Sequence, residues 1–309
     1  MILSLAIVIP AYKSTFLRET LASIAGQTCK DFSLYIGNDA GTREIDSIVE
    51  EYRSSLLNLE YVYFDNNLGQ NDLVAQWNRV LSMVRSERWV WLFSDDDIMG
   101  ATCVEHFYQT ISQAPSFDLY HFDVARINRE GEVLQHLKAY SAQVNAANFF
   151  RNITIHRYNS YMVEYIFRKE SLLAQEGIVP FDLAWGSDHA TCIQMAYPQG
   201  IYTIKGDVVY WRESGENITS LLTGSANIAL RKVRANIAYY HWVAQFFKKK
   251  EGKAAASRRE LLPVFLRQNK RLLPQLTWKQ IGSELLRFTS NPALLSYAFL
   301  YVLTKKLFK

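Results

Sequence analysis

The first 115 residues alternate strand-like and helix-like segments, and no other feature of the chain narrows its fold as much. Apolar, β-branched or aromatic runs at 3–10, 32–37, 59–64 and 89–93 read as buried strands. Between them, Leu17, Leu21 and Ile24, then Ile45, Ile48, Val49, Tyr52 and Leu56, then residues 73–84 carry helical spacing. Ser14 or Thr15, and later Thr42, are the expected N-caps. Strand, helix, strand in repetition predicts a largely parallel sheet covered by helices. After Gly100 a helix to about 113 precedes strands at 117–127, through about 138, at 159–169 and at 201–212, a part that reads as antiparallel. From Ser225 onward only helix-like segments follow, punctuated near Pro263, Pro274 and Pro292. The expected architecture is α/β, a mixed sheet flanked by helices over 1–224 with a helical C-terminal extension over 225–309.

Three cysteines in 309 residues, far apart and without a CxxC pair, argue against a disulfide framework and a structural zinc site, and suit a reducing cytoplasm. The apolar start is cut by Pro10 and lacks a basic leader, so it reads as a strand and not a signal peptide. The late apolar run 293–303 is shorter than the roughly 20 residues that span a bilayer. Charge is divided unevenly. Residues 1–224 hold 17 Lys and Arg against 27 Asp and Glu; residues 225–309 hold 17 against 3. A basic segment behind an acidic body points to an anionic surface or to the body itself as its partner.

In open α/β sheets ligands gather at the carboxyl ends of strands. Here four predicted strands end in polar loops: PAYK (Pro10 to Lys13), NDAG (Asn38 to Gly41), NNLGQ (Asn66 to Gln70) and the triplet Asp95, Asp96, Asp97. If the strands are neighbours, these loops line one crevice. Three adjacent carboxylates need compensation or a task. In an extended segment Asp95 and Asp97 share one side and Asp96 takes the other. Two carboxylates suit magnesium or manganese, which such groups hold together with substrate phosphates. The plain reading of each feature is a solvated acidic turn for the triplet and a turn or cap for Asp39.

IVIPAYK, IGNDAGT, NNLGQNDLVAQWNRVL and FSDDDIMG, in this order, together resemble family 2 of the glycosyltransferases, with the GT-A fold. The likeness is close over about 110 residues and looser to about Ser220. It implies a nucleotide-sugar half at 1–115 and an acceptor half at 116–224. It implies that Asp39 accepts a hydrogen bond from the donor's base, usually uracil, while Pro10, Ala11 and Tyr12 lie along the nucleoside. Asn67, Gly69 and Asp96 are implied donor contacts, Asp95 contacts ribose and sugar and shares the metal, and Asp97 holds Mn2+ or Mg2+ on the diphosphate. The resemblance further implies that Asp188, opening a helix after Gly186, is the base that deprotonates the acceptor, with Asp182 and Glu176 in reserve. Trp185 either stacks on an acceptor sugar or fills core. His189 reads as helix surface or a supporting hydrogen bond. Residues 210–220 resemble a segment that closes over the donor, with Arg212 reaching phosphate.

The sequence departs from the pattern at Lys13, Asn38 and Ser214, where relatives carry Asn, an acid and a His that sometimes binds metal. The activity the resemblance implies is inverting transfer of a sugar from a nucleotide donor, usually UDP-linked, to a glycan or lipid-linked glycan, in bacterial surface polysaccharide assembly. A polyprenyl-phosphate sugar synthase and a non-catalytic binding protein of the same fold are the alternatives. A sugar-nucleotidyltransferase lacks its Gly-rich basic loop here. Residues 225–309 interleave apolar, aromatic and cationic side chains, as a helix peripheral to an anionic membrane does, or as a packed bundle on this or a second subunit does. No nucleic-acid motif is present.

Overall fold

The computed structural model describes residues 4–114, 116–155, 158–215 and 225–307. In chain order these form β1 (Leu5–Ala11), α1 (Leu17–Ala25), β2 (Phe32–Asp39), α2 (Glu44–Tyr52), β3 (Leu59–Phe64), α3 (Leu73–Leu81) and β4 (Trp89–Leu92). There follow β5 (Ile98–Met99), α4 (Cys103–Gln113), β6 (Leu119–Ile127), β7 (Val133–His136), β8 (Gln143–Val144) and α5 (Ala146–Thr154). The rest are β9 (Tyr165–Arg168), α6 (Lys169–Ala174), α7 (Ser187–Met195), β10 (Ile201–Arg212), α8 (Ala226–Glu251), α9 (Arg258–Gln268), α10 (Trp278–Phe288) and α11 (Pro292–Leu307).

All the described strands join one sheet in the order β3-β2-β1-β4-β9-β6-β10-β5, with β7 on β6 and β8 on β10. The first four are mutually parallel, as the alternation predicts, so the carboxyl ends of β2, β1 and β4 open side by side. Their apolar side chains are buried; Leu5, Ile7, Ile9, Ile36 and Trp91 are fully excluded from water and pack against Leu17, Leu21 and Ile45 of the covering helices. The second half is antiparallel at β4–β9, β6–β9 and β6–β7, but β10 runs parallel to β6. Helices intervene between β6 and β10, and a strand that returns through a crossover can align with its predecessor.

Two expected helix starts differ. Phe16 occupies the N-cap position of α1 and Arg43 that of α2, neither with a side-chain cap. The Ser14 hydroxyl instead donates to Glu44, and the Thr42 carbonyl accepts from Ile45 N–H.

The chain divides into two compact units, residues 1–179 with 191–215, and residues 180–190 with 216–309. The strip Pro180–Ala190 thus groups with the C-terminal helices. In that second unit, Ser225, Ser257 and Thr277 cap α8, α9 and α10, the last two with reciprocal capping boxes. Leu261, Phe265, Ile281, Leu285 and Phe288 are buried there, and Glu284, fully buried, takes Arg234 as partner at 2.9 Å. Pro263 lies inside α9 rather than ending it. No described helix is long and apolar enough to cross a membrane.

Candidate active site

Two carboxylate stations occupy the strand ends of the first unit, on either side of β1. The first is Asp39, the last residue of β2, only 3% exposed. Its Oδ1 accepts from Leu68 N–H at 2.8 Å and its Oδ2 from Gly69 N–H at 2.7 Å. A Cβ on Gly69 would stand 2.6 Å from that Oδ2, so only glycine lets the loop close on the acid. Asn67 Oδ1 accepts from Gln70 N–H and tightens the same loop. Arg79 of α3 completes the station with an ion pair to Asp39, while its Nη1 donates to Asn66 at 2.9 Å and its guanidinium lies 3.9 Å over Phe64. Arg79 was not singled out by sequence reasoning. A buried carboxylate needs a cation or donors, but spacing does not say which of several basic residues supplies it.

The second station follows β4. The chain bends at Asp95 and Asp96 rather than running extended, so the alternation expected for the triplet is replaced by three separate anchorages. Asp95 Oδ2 accepts from the N–H groups of Tyr12 and Lys13, each at 2.9 Å, which ties the triplet to the end of β1. There Pro10 and Ala11 pair with Gly37 and Asn38 of β2, and the Tyr12 side chain is about half exposed. Asp96 accepts from Ser94 Oγ at 2.6 Å and Ser214 Oγ at 3.2 Å. Asp97, 2% exposed, accepts Arg212 N–H at 2.7 Å on Oδ1, and its carbonyl accepts from Thr20 Oγ1.

Arg212, the last residue of β10, is fully buried. Its Nε donates to Asp96 O at 2.8 Å, Nη1 to Arg129 O at 2.7 Å, and Nη2 pairs with Glu19 at 2.5 Å, with Phe16 4.5 Å beneath. The side chain braces the acidic turn. Residues 216–220 of the closing segment lie outside the described residues.

Burial and the neighbouring Asp96 charge push the Asp95 carboxyl up to about 6, against the two amides that lower it. Burial, then Asp96, pushes Asp97 well above the usual carboxylate range. A divalent cation would relieve this imbalance, and Asp97 and Asp95 are carboxylates of the kind that could hold Mg2+ or Mn2+ alongside phosphates. Among the described residues no group of three or more His, Cys, Asp or Glu could hold a metal. Ser214 gives its hydroxyl to Asp96.

Glu176 is an exposed turn residue of the first unit with φ 65°. Asp182, Trp185 and Asp188 belong to the second unit. Asp188 sits in the first turn of α7, its Oδ1 accepting from His189 N–H at 2.8 Å and its Oδ2 lying 3.9 Å from His189 Nε2. Just before it, Leu183 and Ala184 hold left-handed φ angles of 59° and 52°, and Gly186 holds 95°. Strain of this kind persists where surroundings fix it and gathers at functional sites. Asp182 pairs with Arg231, and Trp185 lies 4.4 Å from the buried Lys232 ammonium.

The profile of Glycosyl transferase family 2 matches residues 6–169, more than half of the chain. The chain belongs to that family. An uncharacterized glycosyltransferase of Methanocaldococcus jannaschii, MJ1057, is 25% identical over 145 residues, 46% of this chain; the chain spans about half the length of that curated relative. Among solved structures, S. aureus TarS 1-349 with UDP-GlcNAc superimposes with a TM-score of 0.59 at 17% identity, over 98% of this chain and 89% of that one. The mannosyltransferase PcManGT of Pyrobaculum calidifontis, with GDP-Man and Mn2+, gives 0.51 at 14% identity, over 98% and 86%. GalNAc-T7 with UDP, GalNAc and Mn2+ gives 0.56 at 10%, over 92% and 57%. These likenesses carry the GT-A fold.

Proposed function

We propose that this glycosyltransferase moves a sugar, with inversion, from a UDP-linked donor to a hydroxyl of a glycan or lipid-linked glycan in bacterial surface polysaccharide assembly. The observation that carries the reading is the pair of buried carboxylate stations at the ends of β2 and β4, open on the same edge of the sheet. UDP and UDP-GlcNAc on TarS favour the uridine donor over the guanosine one found on PcManGT.

In this reading Asp39 keeps one acceptor site for the base, while Arg79 and the Leu68 and Gly69 amides fix its carboxylate in place. Pro10, Ala11 and Tyr12 border the nucleoside, and Asp95, anchored on the Tyr12 and Lys13 amides, faces ribose and sugar. Asp97 and Asp95 would hold a divalent cation, which would supply charge neutralisation for the departing diphosphate. Arg212 acts by holding the acidic turn rather than by touching the donor. Asp188 accepts the proton of the attacking hydroxyl, and Trp185 borders the acceptor. A lipid-linked acceptor gives the basic residues 225–309 a place at the anionic, cytoplasm-facing surface that carries it.

The test is metal-dependent turnover of UDP-sugars by the wild type and by Asp97→Ala and Asp188→Ala. Loss in both variants supports the reading. Equal turnover in all three overturns the residue roles, and a wild type that turns over no donor while still binding one makes the chain a binding protein.

A further inference from the structure

α11 turns an apolar face outward. Its inner side is Ala298 and Val302, one turn apart and buried, while Tyr297, Leu300 and Leu303 are 49%, 62% and 40% exposed and Phe299 36%. No Asp, Glu, Lys or Arg occurs between Pro292 and Thr304. The face continues onto α10, where Trp278, Gly282 and Leu286 share a row at i, i+4 and i+8. A Cβ on Gly282 would lie 3.5 Å from Phe299 Cζ, so this row borders the ring, and its Trp278 and Leu286 are 45% and 59% exposed.

Cations rim the patch. Lys306 extends 4.7 Å over the Trp278 ring and donates to Leu276 O at 2.6 Å; Lys279, next to Trp278 in sequence, and Lys305, 5.8 Å over the Tyr301 ring at the end of α11, are exposed. A helix apolar on all sides is normally covered, and contiguous exposed apolar surface marks a site of interaction.

We propose that the outward face of α10 and α11 docks in the plane of an anionic lipid surface, with Trp278, Leu300 and Leu303 at the acyl boundary and Lys279 and Lys305 among the headgroups. The inference rests on the lipid-linked reading above and names the face that meets the lipid. The uncharged run of α11, residues 292–304, is closed by Lys305 and is shorter than the roughly 20 residues needed to span a bilayer, so it suits a place along the surface. Seventeen basic against three acidic residues over 225–309 match anionic headgroups and oppose a second copy, which would set two strongly positive segments together. A nucleic acid would satisfy the cations and leave the leucines in water.

Flotation of the full chain with phosphatidylcholine vesicles, with and without phosphatidylglycerol, tests it beside Leu300→Glu/Leu303→Glu and Lys279→Glu/Lys305→Glu. These side chains are exposed, so circular dichroism and donor turnover should match wild type. Wild type should float only with phosphatidylglycerol, the leucine variant should bind roughly tenfold more weakly or less, and the lysine variant should lose binding at lower salt. Equal flotation of wild type and leucine variant would overturn the face while leaving membrane contact intact. No flotation of wild type at low salt would overturn both the face and the lipid-surface reading, with glycosyl transfer still decided by the turnover assay. A wild-type dimer that the leucine variant converts to monomer, without lipid binding, would assign the face to a second copy.

Discussion

The two carboxylate stations flank the same strand and are built in opposite ways. At the end of β2, one carboxylate meets two amides and the Arg79 guanidinium, so its charge is answered within the protein. At the end of β4, three carboxylates crowd one bend; Arg212 gives Asp97 a backbone N–H but directs guanidinium bonds to carbonyls and to Glu19. The balanced station suits a neutral base read by hydrogen bonds. The unbalanced one stores repulsion, which in the proposed function an incoming cation would release.

The sharpest way to break this contrast is Asp97→Asn. Transfer should fall by roughly a thousandfold, while the ligand-free protein should melt higher than wild type, because a repelled buried carboxylate becomes a neutral amide that still accepts Arg212 N–H. A lower melting point would mean that the triplet is already balanced. Arg79→Ala should act in the other direction, costing about 2–4 kcal/mol in urea denaturation by leaving buried Asp39 without its cation. Its loss of UDP binding would follow from the loosened base station.

Acidity offers a finer separation. Asp95 has a folded pKa of about 6, above its unfolded value, so its contribution to stability is fully present below about pH 4 and lost as pH rises through 6. The stability advantage of Asp95→Asn over wild type should therefore be largest near pH 7 and shrink by on the order of 2 kcal/mol toward pH 4. Groups common to both proteins, such as His121, which burial drops to about 3, cancel in the difference. Saturating Mn2+ with UDP should flatten the curve. The smallest effect belongs to Asp182→Asn, whose partner Arg231 is, like it, more than a third exposed; such pairs contribute under about 1 kcal/mol, against which the cost of losing Arg79 can be judged.

Much of the first station was readable because Asp39, Gly69 and the loop 66–70 are close to strand ends that periodicity locates well. The same alternation predicts a largely parallel sheet, whereas the adjacency of its first four strands is read from their pairing. Arg79 was hidden because burial, and not spacing, makes an ion partner necessary. The extended geometry expected for Asp95 to Asp97 failed because Tyr12 and Lys13 amides draw Asp95 to the neighbouring strand while Arg212 draws Asp97 elsewhere. Both forces come from residues at least 80 positions away in sequence, and no local pattern reports them. The strip 180–190 gave a helix start correctly, but its grouping with the C-terminal helices depends on long-range partners such as Arg231 and Tyr239.

Arg212 also sets a timetable for synthesis. The two-residue strand β5 that follows the triplet pairs with β10, through Met99 with Val209 and Ile98 with Tyr210. A nascent chain can close the Asp39 loop once α3 has left the ribosome. It can brace the acidic bend only after residue 212 has emerged, some 115 positions after Asp97 itself. The Asp39 loop can thus close before the acidic bend is braced, so under the proposed roles the base station would form ahead of the diphosphate station.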